Sequence, residues 1–111
     1  MTYKEVWEML LETGILAAYH HFDEGNAPEP PFICFFYTED NDFKADDTNY
    51  QQIEHLVIEL YTDNKDFQTE KAVRDVLTAH GLVYSSSEDY IATERLYEVV
   101  FDTEIVITEE E

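Results

Sequence analysis

The chain of 111 residues is long enough for one domain with its own core, and its 44% hydrophobic content, with eight Tyr and seven Phe, argues against disorder. Twenty-six acids against six Lys and Arg give a formal charge of −20, a surface that repels phosphate backbones and anionic lipid and so excludes a basic nucleic-acid groove. The single Cys34, set between Ile33 and Phe35, excludes an internal disulfide, and no apolar run approaches the ~20 residues that cross a bilayer.

Thr2 and Glu5 have capping-box spacing, and Tyr3, Val6, Trp7, Leu10 and Leu11 recur at helical intervals before Gly14. A helix over about residues 3–12 is predicted. This amphipathic, glutamate-bearing start does not read as a signal peptide, so a cytosolic setting is expected. Residues 15–22 read as a strand and residues 32–37 as the next. Between them, Gly25 and Asn26 tolerate positive φ, while Pro28, Pro30 and Pro31 hold the backbone extended. The acid-rich residues 38–49 read as a hairpin loop or flap. Residues 50–62 form a long strand with Leu56, Ile58 and Leu60 on one face and His55, Val57, Glu59 and Tyr61 on the other.

A second helix follows, capped by Asp63, Asn64 or Asp66, with Phe67, Val73, Val76, Leu77 and His80 as its apolar stripe and Gly81 as its stop. A short strand at 82–84 is expected to pass through Ser85, Ser86, Ser87, Glu88 and Asp89 into a second piece at 90–93. The last strand, 95–108, alternates: Tyr97, Val99, Phe101, Thr103, Ile105 and Ile107 face one way. Glu98, Asp102 and Glu104 face the other, interleaved with Leu96, Val100 and Val106. The expected fold class is α+β, in the order α-β-β-β-α-β-β. A single antiparallel or mixed sheet carries both helices on one face over residues 1–108, followed by an acidic tail at 109–111.

No residue pattern reads as catalytic. His20 and His21 are adjacent, so on an extended strand they leave opposite faces and cannot share one metal; His55 and His80 stand alone in sequence. Asp40, Asp42, Asp46 and Asp47 suggest calcium, but Lys44 and Ala45 occupy the fifth and sixth positions of an EF-hand count, where a ligand and a glycine belong. The serines lie in no nucleophile elbow, and Cys34 has no base nearby in sequence. The expectation is a protein that is not an enzyme and uses no cofactor or metal.

As running text, the chain resembles the tail-terminator, or tail-completion, proteins of long-tailed siphophages and of Gram-positive prophages. The segment from Tyr19 to Ile33 and the one from Ile58 to Asp66 carry the likeness, which extends over nearly the whole chain. The resemblance implies a structural head-tail joining role. Such a protein forms a ring, commonly hexameric, on the last tail-tube ring and offers a surface to the head connector protein. It implies assembly in the host cytoplasm and residence in the virion tail, with no membrane and no specific nucleic-acid binding. In such a ring Leu96, Val100 and Val106 are candidates for half of a subunit interface. Glu98, Asp102 and Glu104, or residues 39–47, are candidates for an acidic lumen that lets DNA pass without sticking.

Two other readings compete. An acidic DNA-mimic inhibitor would seat itself in the basic groove of a DNA-binding protein, which the net charge favours but scattered acids do not establish. A metal-dependent enzyme using His20 or His21 with Asp23 or Glu24 is the third.

Overall fold

The structure, a computed structural model, describes residues 1–23, 28–38 and 52–108. The Gly25–Asn26 turn, the 39–47 acids and the 109–111 tail lie outside the described residues.

The elements are α1 (Tyr3–Leu11), β1 (Leu16–Tyr19), β2 (Phe32–Tyr37), β3 (Gln52–Thr62), α2 (Phe67–Ala79), β4 (Tyr84–Ile91) and β5 (Leu96–Ile107). The strands form the one sheet expected of an α+β fold, in the spatial order β1-β2-β3-β5-β4. β1 runs parallel to β2, and every other neighbouring pair is antiparallel. A parallel neighbour demands a crossover of about a dozen residues, and here that crossover is the proline-bearing stretch between Tyr19 and Phe32. Phe22 anchors it on Phe32, ring centroids 5.4 Å apart.

Both helices lie on one face. Val6, Met9 and Leu10 of α1 and Val73 and Leu77 of α2 are fully buried against Ile33, Phe35, Leu56, Ile58, Leu60, Val99, Phe101 and Ile105. Period two on the strands and period 3.6 on the helices produce this core, each large buried side chain stabilising it by roughly 1.5–3 kcal/mol. Thr2 and Glu5 close the expected capping box, at 3.0 and 2.8 Å. Asp66, of the three candidates, caps α2: its carboxylate accepts from the Thr69 amide and hydroxyl at 3.1 and 2.6 Å. At the other end Leu82 N–H reaches Leu77 C=O and Gly81 N–H reaches Thr78 C=O, a Schellman closure for which Gly81 supplies a φ of +75°.

Four expectations are corrected. β1 stops at Tyr19 instead of reaching Phe22, because His20 takes a φ of +71° and turns the chain out of the sheet. β4 is one continuous strand through Ser85, Ser86, Ser87, Glu88 and Asp89, paired along its whole length with β5. Phe67 is 72% exposed at the start of α2, beneath the Lys65 ammonium, and His80 is exposed, bonded to Glu12 at 3.0 Å. The stripe of α2 runs through buried Glu70, whose charge is met by Lys65 at 2.6 Å and Arg74 at 3.9 Å. On α1, Tyr3, Trp7 and Leu11 remain substantially exposed, while Met9 takes the buried position.

Candidate functional site

The face of the sheet away from the helices carries the candidate residues. On it lie Phe32, Cys34 and Phe36 of β2; Ile53, His55, Val57, Glu59 and Tyr61 of β3; and Leu96, Glu98, Val100, Asp102, Glu104 and Val106 of β5. Among the described residues no helix covers this face, yet Cys34 and Val57 are buried and most of the rest are half-buried. That mixture is unusual for a solvated sheet face, which normally reads as polar.

All six sequence candidates are brought together here. Leu96 stands opposite Ile91, Val100 lies between Glu59 and Ser87, and Val106 stands opposite Ile53. The acids differ among themselves. Glu98 accepts the Tyr61 hydroxyl at 2.7 Å, and Asp102 is bonded to His55 Nε2 at 2.9 Å. Glu104 is exposed. The apolar and acidic candidates therefore alternate on one surface instead of occupying two.

Electrostatics on this face follow from partial burial among like charges. Burial pushes the Glu59 carboxyl above the usual carboxylate range; the Tyr61 hydrogen bond works against that shift and the neighbouring Glu98 charge adds to it. The Tyr61 phenol is held well above its ordinary value, first by burial and then by its bond to Glu98, so it remains a donor. Cys34, opposite Glu59, is pushed up by burial and by that carboxylate. It is a protonated, shielded thiol and a poor nucleophile.

The histidine–acid stretch is a surface feature. His20 and His21 do not leave opposite faces of a strand, because the positive φ at His20 brings their Nδ1 atoms to 3.2 Å. His21 lies 3.9 Å from Asp23, both well exposed. Among the described residues no group of three or more His, Cys, Asp or Glu is placed to hold a metal ion. The calcium-suggestive acids at 40–47 lie outside the described residues, and no described helix is long and apolar enough to cross a membrane.

A second site was invisible in the sequence. A cleft of about 570 Å³ opens where the start of α1 meets β1, β2 and β3, lined by Tyr3, Tyr19, Phe35, Tyr37, Thr38 and Glu54. Tyr3 and Tyr37 meet edge-to-face at 5.2 Å, and Tyr19 lies 6.0 Å from Tyr37. Glu54 is 8% exposed, and its Oε2 accepts from the Tyr3 hydroxyl and the Gln52 amide, each at 2.7 Å. Burial, and then the neighbouring Tyr3, Tyr19 and Glu54, hold the Tyr37 phenol far above its ordinary value, so that it stays neutral.

No protein-family model and no curated protein matches the chain. Among solved structures, the chain is similar to one from the virion of a native gene transfer agent particle. The TM-score is 0.50 and the identity 15%, over 88% of this chain and 84% of that one. At that identity the likeness shows a shared fold.

Proposed function

We propose that this chain is a structural protein of a phage-like virion, working as a ring that closes the tail tube and joins it to the head connector. The observation that carries the reading is the uncovered sheet face. It mixes apolar and aromatic side chains with acids, and three of those acids, Glu59, Glu98 and Asp102, already have hydrogen-bond partners within the fold. A neighbouring subunit covering Glu98 and Asp102 would therefore find one hydrogen bond to each already made. The fold shared with a gene transfer agent virion supports the same class of role.

In this reading Leu96, Val100 and Val106 form the apolar part of a repeated head-to-tail contact, with Glu98 and Asp102 interleaved among them. Glu104, exposed and unlike the other two, is the better candidate for the acidic lumen. The protein acts by docking, without turnover, first in the host cytoplasm and then in the tail. The DNA-mimic alternative fits less well: the ordered acids of this face are spaced by Val100 and held by Tyr61 and His55, not presented as a free phosphate-like row.

The test is deletion of the gene from the phage or prophage that carries it, followed by electron microscopy of the particles. Tails of uncontrolled length without heads, restored to normal by the gene in trans, are expected. Head-bearing particles with tails of normal length would sink the proposal.

A further inference from the structure

We infer that the tyrosine cleft between α1 and the β1–β2–β3 side of the sheet is a receptor for one basic side chain, Lys or Arg, of a partner protein. Three observations carry it. Rings of Tyr3, Tyr19 and Tyr37 form walls at differing angles, 75° between Tyr3 and Tyr37 and 33° between Tyr19 and Tyr37. These rings give the cleft an aromatic lining, and aromatic surface attracts an organic cation. Glu54 adds a carboxylate to the lining at 8% exposure, and both of its hydrogen bonds fall on Oε2. A carboxylate set that deep is reached by a cation at the end of a long apolar stem, and the Lys and Arg side chains have such stems to lay along the rings. The whole chain, at −20, also draws cations toward it.

The charge pattern favours a foreign partner over a second copy. Among the described basic residues, Lys65, Lys71 and Arg74 are already paired with Glu70, Glu88 and Asp75, which leaves Lys4 and Arg95. The inference stands apart from the ring reading, since the lining is on the sheet's helix-bearing side and not on the uncovered face.

The test is a titration of the intact protein with otherwise uncharged peptides carrying a single Lys, a single Arg or, as neutral control, a single citrulline. Ring signals of labelled tyrosines report binding by NMR. Saturable shifts confined to Tyr3, Tyr19 and Tyr37 are expected with Lys or Arg and not with citrulline; whichever of the two binds more tightly names the partner's residue. Glu54→Gln preserves shape and should weaken binding about tenfold or more, while Tyr19→Ala at an exposed ring should weaken it about threefold. Equal shifts from citrulline, or shifts spread evenly over the acidic surface, would overturn the inference. So would loss of self-association in Tyr19→Ala without any peptide response, which would give the cleft to a second copy.

Discussion

Tyr61 of β3 and Glu98 of β5 stand opposite each other in the sheet, and the Tyr61 hydroxyl donates to Glu98 Oε2 at 2.7 Å. The same hydroxyl lies 3.2 Å from Glu59 Oε1, so one phenol serves two carboxylates on an uncovered face. Its ring also stacks on Phe32 at 5.1 Å. Tyr61→Phe keeps the stacking and removes only the donor. It should cost about 1 kcal/mol in urea unfolding, the ordinary net worth of a hydrogen bond with some addition for the charged acceptors. Tyr61→Ala loses the ring as well and should cost distinctly more. Equal losses from the two variants would mean that the hydroxyl, and not the ring, supplies the stability.

Glu59 and Asp66 should give stability opposite pH signatures. The folded-state pKa of Glu59 is raised by burial, so the native state holds its proton more tightly than the unfolded chain. Its contribution is present at acid pH and is lost as pH rises through the folded value. Asp66 is the reverse: its side-chain and backbone bonds from Thr69 lower its pKa, so its contribution is present at neutral pH and is lost as pH falls through that lowered value. Glu59→Gln should therefore raise the Tm at neutral pH, with the gain shrinking toward acid. Asp66→Asn should lower the Tm at neutral pH, with the deficit shrinking toward acid. Melting curves across that range decide it, and parallel pH profiles for the two variants would refute the assignment.

What could be seen from sequence follows physical range. β5 was legible because a strand buried on one face writes period two into its residues, and Val99, Phe101, Ile105 and Ile107 are all nearly inaccessible. β4 was not: at the sheet's edge, with residues 85–90 all exposed, it needs no apolar pattern, and pairing with β5 holds a serine–acid run that composition alone marks as loop. The end of β1 was hidden because a backbone angle at His20 leaves no mark on hydropathy. Glu70 was missed because its burial depends on Lys65, which Glu88 also holds from a strand residue twenty-three positions further on. The six β5 candidates fell on one face by local periodicity. The tyrosine cleft, by contrast, is made by contacts such as Tyr3 to Glu54, fifty-one positions apart, and no local pattern announces it.

Cys34 should be nearly inert in the folded protein. It is 7% exposed, and burial with the facing Glu59 holds its thiol above the ordinary value. Reaction with a disulfide reagent should be on the order of a hundredfold slower than in the urea-unfolded chain, because attack waits on opening of the sheet. A rapid, stoichiometric reaction under native conditions would show that the β2–β3 pairing opens far more readily than its packing implies.

Self-association tests the uncovered face directly. Copies at −20 repel over a Debye length that shrinks from about 14 Å to about 4 Å as salt rises from about 50 mM to about 500 mM. If Leu96, Val100 and Val106 make the contact, added salt should promote assembly by removing the repulsion while leaving apolar attraction in place. Val100→Asp puts a charge between Glu59 and Ser87 at the middle of that face without touching the helix-side core. Because Val100 is half-buried and faces Glu59, the variant should lose some Tm, so assembly is compared at a temperature where both proteins remain folded. The variant should also abolish the salt-promoted species in light scattering. Removing a charge with Glu104→Gln works in the opposite sense, easing repulsion at an exposed site, and should lower the salt needed. A Val100→Asp protein that still assembles as the parent does would place the contact on another surface and end the role assigned to this face.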